Sequence, residues 1–232
     1  MKLNNQELYN LLKEKGIENF FHANTLTTSL TFLENKGLMS RGLIEQKALQ
    51  QTQQISDEID KKFNVWDDIF LDIVDLHGHF PRENLYGPIL FKFNLEFLKE
   101  EKFDIWVTKN NPIYWKDNDS NEDKYFQSVI ELKENWDNYE IQRKMFTIKN
   151  ITTPILFKYL EKIILDDPQV QIEEESIVFS KKLKEEVKKV IDKGIISNDL
   201  FKFRDCSSSC FCKRNYLDKS ISELKRLFLR EI

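Results

Sequence analysis

The sequence predicts an α+β fold, and three observations support this prediction. Short segments rich in branched and aromatic residues recur before residue 170 and are typical of strands. Segments with apolar residues at helical spacing occur near both ends of the chain. Near residue 170 the composition shifts toward lysine and glutamate, which divides a strand-rich body, residues 1–170, from an extension, residues 171–232. We expect the extension to be helical, to carry the three cysteines and to pack on the same domain.

The elements of the body are predicted in chain order. A first helix follows Asn4 and ends at Gly16, and a second begins at Thr27 or Thr28 and ends at Gly37. The predicted strands cover residues 17–22, 65–74, 86–93, 104–108 and 145–148. Residues 125–132 fit a helix or a strand, and residues 156–165 form a further apolar stretch. In the extension, Leu183 and Val187 mark the buried stripe of a helix over residues 173–193, and a last helix covers residues 221–229.

Bulk properties limit the class of protein. The chain has 232 residues and a formal net charge of -4, which excludes a protein that binds polyanions over a wholly basic surface. The first residues are too polar for a signal peptide, and no run of about 18 apolar residues is present, so we expect a cytoplasmic protein with no membrane contact. Three cysteines are an odd number, which disfavours a disulfide framework and predicts reduced or metal-bound thiols.

One motif carries most of the functional prediction. His22-Ala23-Asn24-Thr25 is followed by a helical segment and then by Gly37-Leu38-Met39-Ser40-Arg41, and a later strand begins Tyr86-Gly87-Pro88. Together these segments resemble ADP-ribosyltransferase-fold enzymes. The similarity is strongest to the DarT-like and CmdT-like toxins of toxin-antitoxin and phage-defence systems, which modify nucleic acids with NAD. It covers roughly residues 17–165.

The resemblance implies a fold, a reaction and a set of site residues. The fold would be a split mixed and antiparallel sheet with flanking helices, and the reaction would transfer ADP-ribose from NAD to a base of RNA or single-stranded DNA. His22, Asn24 and Thr25 would contact the nicotinamide riboside, Tyr86 would stack on nicotinamide, and Arg41 would bind a phosphate. The alternative for His22 and Tyr86 is an ordinary strand histidine and a core aromatic residue.

The catalytic carboxylate is the point at which the chain departs from this family. Met145 stands where the similar toxins have a glutamate on a late strand. We therefore predict that Glu131, which follows an apolar segment, acts with His22 and Tyr86 in catalysis. Glu140 is the alternative, although its polar surroundings favour a solvent-exposed face.

The loop at residues 109–123 is the predicted acceptor-binding segment. Tyr114 and Trp115 would stack an unpaired base, and Lys116 would meet its phosphates. The alternative is a tryptophan that packs beneath the loop.

Two groups of residues suggest metal binding. Cys206, Cys210 and Cys212 would need a distant histidine or another fourth ligand to hold zinc, and small reduced side chains without a metal are the preferred interpretation. His77 and His79, near Asp72 and Asp75, are the second group, for which a polar loop over the cleft is preferred.

An enzyme of this kind would be toxic, so a neutralising antitoxin protein is expected, or a chaperone, with the extension as its docking segment. Two other functions stay open. One is a non-enzymatic module of a defence system, stabilised by zinc, that binds nucleic acid or protein. The other is a nuclease built on His22, His77 and His79.

Overall fold

The computed structural model describes residues 2–77, 86–140, 144–172, 177–207 and 209–230, and the chain has a mixed α+β fold. The helices in these ranges are α1 Asn5–Glu14, α2 Leu26–Glu34, α3 Arg41–Gln46, α4 Asp57–Lys62, α5 Phe97–Glu100, α6 Asn121–Lys124, α7 Val129–Glu134, α8 Phe179–Asp192, α9 Phe211–Leu217 and α10 Ile221–Phe228. The strands are β1 Asn19–Asn24, β2 Ile69–Leu71, β3 Ile89–Asn94, β4 Ile105–Val107, β5 Phe146–Ile148, β6 Leu160–Asp167, β7 Gln171–Ile172, β8 Ile177–Val178 and β9 Phe201–Asp205.

The strands form two main sheets. The first is mixed, with the order β1-β3-β6-β9, and β9 runs parallel to β6 while the other neighbours are antiparallel. The second is antiparallel, with the order β2-β5-β4, and β7 and β8 form a separate antiparallel pair. The sheets meet at β1, where Phe21 and Asp72 exchange backbone hydrogen bonds of 2.8 and 2.9 Å.

The largest apolar cluster among the described residues joins the body to the extension. Phe20 of β1 packs on Phe146 of β5, with ring centroids 5.0 Å apart, and so links the two sheets. Phe179 and Phe228 of the extension belong to the same buried cluster. Leu183 and Val187 are buried on α8, which packs on α2 and α10, so the apolar stripe of α8 is used inside the chain.

The structure confirms several predicted elements and corrects others. The first helix and the strand before His22 are confirmed as α1 and β1, and the second helix has its N-cap at Thr25. The strand predicted over residues 65–74 is only β2, because the chain turns at residues 66–67. The ambiguous segment at residues 125–132 enters a helix at Val129.

The extension is not purely helical, which corrects the prediction for residues 171–232. Phe201–Asp205 is a strand on the edge of the mixed sheet. Its alternating Phe-Lys-Phe-Arg pattern suits an edge strand, since successive side chains point to opposite faces.

None of the helices in the described ranges has the length and apolar character needed to cross a membrane.

Candidate functional site

A cleft of about 310 Å³ lies where the two sheets meet. It is at the small end of the range for ligand pockets, which are typically about 300–1,000 Å³. Its walls include residues from β1, β2, the segment around α3 and α4, the loop after β4, and α10. His22, Asn24, Arg41 and Tyr86 all line it, so four residues that the sequence assigned to NAD lie around one cavity.

His22 and Asn24 form a hydrogen-bonded pair on the cleft wall. Nδ1 of His22 donates to the Phe70 carbonyl at 2.9 Å, and the Asn24 amide donates to Nε2 of His22 at 3.3 Å. The side-chain oxygen of Asn24 accepts from the backbone N–H of Thr25. Burial lowers the pKa of His22, although the contact with Phe70 acts in the opposite direction. The ring is therefore neutral, with its proton on Nδ1.

Thr25 is fully buried behind the cleft wall rather than on it. Its hydroxyl donates to the Thr52 hydroxyl at 2.8 Å, and the backbone N–H of Thr52 donates to the Thr28 hydroxyl at 3.0 Å. These bonds attach the segment before α4 to the start of α2. Thr25 thus positions the wall, and Thr28 is the threonine that faces the cavity.

Tyr86 reaches the cleft because Gly87 follows it. Gly87 has a φ of +140°, and a Cβ at this position would lie 2.3 Å from the Asn24 carbonyl oxygen. Only glycine allows this backbone to pass so close to the end of β1. Tyr86 is consequently held beside Asn24 at the mouth of the cleft, with its side chain 39% exposed.

Arg41 lines the cleft but is already paired. Its guanidinium donates to Asp57 at 2.7 Å and to the Thr52 carbonyl at 3.1 Å, and it lies over the Trp66 ring. Two further cations, Lys219 and Arg226, come to the cleft from the C-terminal end of the chain. The sequence had not suggested that α10 and the residues before it take part in the site.

Asp60 and Asp68, two of the carboxylates that line the cleft, differ in their surroundings. Asp68 is held by Lys149 at 2.5 Å and by the backbone N–H of Asn150 at 3.0 Å. Asp60 accepts a hydrogen bond from the Ser56 hydroxyl at 3.0 Å. Burial raises the pKa of Asp60 to about 6, against the effect of that hydrogen bond. A carboxylate that titrates so close to neutral pH in a cleft is typical of proton-transfer groups.

Glu131 lies elsewhere, on α7, and does not line the cleft. Its carboxylate contacts Lys109 at 2.6 Å and accepts the backbone N–H of Gln127 at 2.6 Å. Burial acts to raise the pKa of Glu131, but these two contacts outweigh it and lower the pKa below its usual value. The side chain therefore closes the first turn of its own helix and ties it to the loop after β4.

The loop at residues 109–123 divides its aromatic residues between core and surface. Trp115 is 8% exposed, packs on Val65 and Tyr125, and donates from Nε1 to the Asn110 carbonyl at 3.1 Å. Tyr114 is 55% exposed, and Lys116 is exposed as well. The packing of Trp115 leaves Tyr114 as the exposed ring of this pair.

The mouth of the cleft also carries apolar side chains in contact with solvent. Ile55 is 86% exposed and Ile113 is 41% exposed, and both line the cavity together with Tyr86. Exposed apolar groups around a concave site are more typical of a ligand-binding surface than of a random part of the protein exterior.

A second group of reactive side chains lies outside the cleft. His77, Cys206, Cys210 and Cys212 bring their ligand atoms within 4.8 Å of one another, and this group is named the cysteine–histidine cluster below. All three cysteines are free thiols. His77 therefore belongs with the cysteines and not with His22, while His79 lies outside the described residues.

Comparisons with known proteins do not assign the chain to a family: no protein-family model matches the sequence, and no curated protein matches it.

Proposed function

We propose that the chain is an NAD-dependent ADP-ribosyltransferase that modifies a nucleic-acid base and acts as the toxin of a toxin-antitoxin or phage-defence system. The observation that carries the proposal is the convergence of His22, Asn24, Arg41 and Tyr86 on one cleft. The resemblance implies these four residues from short motifs that are separated in the sequence, and all four line the same cavity in the fold. The split into a mixed and an antiparallel sheet is a second line of support.

In this proposal the His22–Asn24 pair and Tyr86 bind the nicotinamide riboside. The cavity volume suits one half of a dinucleotide. Lys219 and Arg226, which line the same cleft as Arg41, would supply positive charge for the diphosphate together with it. The exposed side chains Ile55 and Ile113 would then meet the acceptor base at the mouth.

We assign the catalytic carboxylate to Asp60 in place of Glu131, since Asp60 lies on the cleft wall. The bond between C1′ of the ribose and the nicotinamide nitrogen breaks, and nicotinamide leaves with the electron pair. The acceptor nitrogen forms the new bond to C1′, and its proton moves to the Asp60 carboxylate. A negative charge nearby also stabilises the positive charge that develops on the ribose.

The test is transfer of label from NAD carrying a radioactive ADP-ribose moiety to RNA, single-stranded DNA or protein, offered separately. We expect label on nucleic acid, and a decrease of about 10²–10⁴-fold for Asp60→Asn. Asp137→Asn is the matched control, because it removes the same charge from an exposed side chain outside the cleft and should retain activity. Folded wild-type protein that neither releases nicotinamide nor labels any acceptor would refute the proposal.

The second candidate is a non-enzymatic binding module, which the cysteine–histidine cluster favours because a structural zinc ion held by these four ligands would stabilise the fold without taking part in catalysis. The two candidates differ in a simple measurement. A module would bind nucleic acid or protein equally well with and without NAD, and Asp60→Asn would leave its affinity unchanged.

The proposed toxin also requires a neutralising antitoxin or a chaperone. Because the apolar stripe of α8 is buried against α2 and α10, such a partner would have to bind another surface or the charged face of α8.

A further inference from the structure

We propose that His77, Cys206, Cys210 and Cys212 bind one structural Zn²⁺ ion. The four ligand atoms lie within 4.8 Å of one another although His77 and Cys210 are 133 residues apart. Convergence over that distance is not a consequence of local spacing. The fold therefore brings an imidazole nitrogen to the three cysteines as a fourth ligand, which the sequence around them does not supply.

The distances fit a tetrahedral zinc site. Zinc bonds of about 2.3 Å to sulfur and about 2.0 Å to nitrogen give tetrahedral edges of about 3.8 Å between two sulfur atoms and about 3.5 Å between sulfur and nitrogen. Cys206 Sγ and Cys212 Sγ are 3.8 Å apart, and Cys210 Sγ and His77 Nε2 are 3.4 Å apart. Two opposite edges of the tetrahedron are therefore already present, and the longest edge has to shorten by about 1 Å when the metal binds.

The surroundings of His77 fix which of its nitrogens faces the metal. Nδ1 of His77 lies 3.0 Å from a carboxylate oxygen of Asp166. Asp166 is buried, and its carboxylate accepts a hydrogen bond from Nε of Arg204 at 2.7 Å. A histidine that ligates a metal usually turns its other nitrogen toward a carboxylate, which orients the ring and makes it a better ligand. Nε2 is accordingly directed toward the sulfur atoms.

A disulfide explains the cluster less well. Disulfide sulfur atoms are about 2.0 Å apart, whereas Cys206 and Cys212 are at 3.8 Å. Such a bond would also leave Cys210 and His77 without a role. Thiolate and imidazole ligands in a compact tetrahedral arrangement favour zinc over the hard cations, and four protein ligands leave no position for a substrate, so the ion is structural.

The position of the site shows what the ion would hold together. Cys206 follows β9 directly, and Cys210 and Cys212 lie at the start of α9. His77 comes from the segment after β2, which packs on the mixed sheet through Leu76. The metal thus fastens the C-terminal part of the chain, including α10 with its cleft residue Arg226, to the body.

Metal analysis of the full chain tests the proposal directly. Protein purified with a thiol reductant and without chelator, then dialysed against a zinc buffer, should contain about one zinc per chain by elemental analysis. Cys206→Ser and Cys212→Ser should each lose that zinc. Ser209→Ala, in the same turn and with an exposed side chain, is the matched control and should retain it. Replacement of zinc by Co²⁺ should produce the visible bands of tetrahedral cobalt with sulfur ligands.

A measurement on the unaltered chain covers the case in which the serine variants do not fold. Titration of the wild-type thiols with a mercurial reagent should release one zinc per chain as the three cysteines react. Folded wild-type protein that holds no zinc after the zinc dialysis, and therefore releases none to the mercurial reagent, would overturn the proposal. So would a Cys206–Cys212 disulfide in protein kept under reductant, or full zinc content in the folded Cys206→Ser variant. None of these readouts depends on NAD, so the zinc site and the proposed enzymatic function are tested separately.

Discussion

The cleft and the cysteine–histidine cluster bring together residues that are distant in sequence, but they use them differently. In the cleft, polar groups and apolar side chains surround open space at the junction of two sheets. In the cluster, four ligand atoms lie within 4.8 Å and leave room for one ion. An open site with charged and apolar walls is suited to reversible binding of a ligand, whereas a closed set of metal ligands is suited to stabilising the fold. Substitutions in the two regions should consequently differ in whether they affect function or stability.

Removal of the proposed zinc ion should have the largest effect. Binding of zinc to folded ligands contributes free energy comparable with the whole stability of a domain, so we expect a chelator to lower the free energy of unfolding by at least about 3 kcal/mol. Urea unfolding followed by circular dichroism, with and without chelator, measures the change. In the Cys206→Ser variant the chelator should cause no further decrease. Identical unfolding curves for the wild type in both conditions would show that the cluster binds no metal that stabilises the fold.

Gly87→Ala should have the next largest effect, and it acts on the cleft. The new Cβ would lie 2.3 Å from the Asn24 carbonyl oxygen in a backbone conformation that disfavours alanine, so we expect a loss of about 2–4 kcal/mol. The matched control is Gly194→Ala, where φ is +68° but no atom lies within 4 Å of the added methyl group. It should cost only about 1 kcal/mol. Equal losses in the two variants would show that the close approach at Asn24 does not hold Tyr86 in place.

Asp60→Asn should have a smaller effect on stability, and of the opposite sign. Since the folded-state pKa of about 6 exceeds the ordinary value of 3.8, the folded protein retains a proton that the unfolded chain loses between these pH values. Stability therefore falls as pH rises through this window, and the full cost is present above about pH 6. Asparagine can still accept the Ser56 hydrogen bond and carries no charge.

We therefore expect Asp60→Asn to increase the free energy of unfolding at pH 7.5 by on the order of 1–2 kcal/mol and to leave it unchanged near pH 3.5. Urea titrations at the two pH values measure this difference, and Asp137→Asn serves as the control with no gain at either. Higher stability together with lost activity is the pattern expected of a functional residue. A variant that is less stable at pH 7.5 would instead identify Asp60 as a structural residue.

The elements with a clear local pattern were predictable from the sequence. The helix α1 and the strand β1 follow from apolar spacing that a few residues specify, and His22 and Asn24 of the motif line the cleft. β9 was missed because its five residues stand between charged helices, and their alternation has meaning only beside β6. Local pattern thus predicts elements better than it predicts their neighbours in space.

The chemistry of individual side chains was harder to predict for the same reason. Asp60 lies in the run Asp57-Glu58-Ile59-Asp60-Lys61-Lys62, which has the composition of a solvent-exposed face. The pKa of Asp60 is raised because the folded chain buries this carboxylate in the wall of the cleft. His77 likewise acquires its cysteine partners through a contact 133 residues away, for which the sequence holds no local signal.

Glu131→Gln should have the smallest effect, and it separates the prediction from sequence from the proposal based on the cleft. Glu131 and Lys109 are partly exposed, and such pairs contribute about 1 kcal/mol or less. Glutamine can still accept the backbone N–H of Gln127, so the start of α7 is preserved. We expect a change of at most about 0.5–1 kcal/mol in stability and unchanged transfer of ADP-ribose.

Lys133→Gln, which breaks an exposed pair between α7 and Glu14, provides a comparison of similar size. A loss of activity in a folded Glu131→Gln variant as large as that in Asp60→Asn would return the catalytic role to Glu131, because it would indicate that α7 brings this carboxylate to the bound substrate.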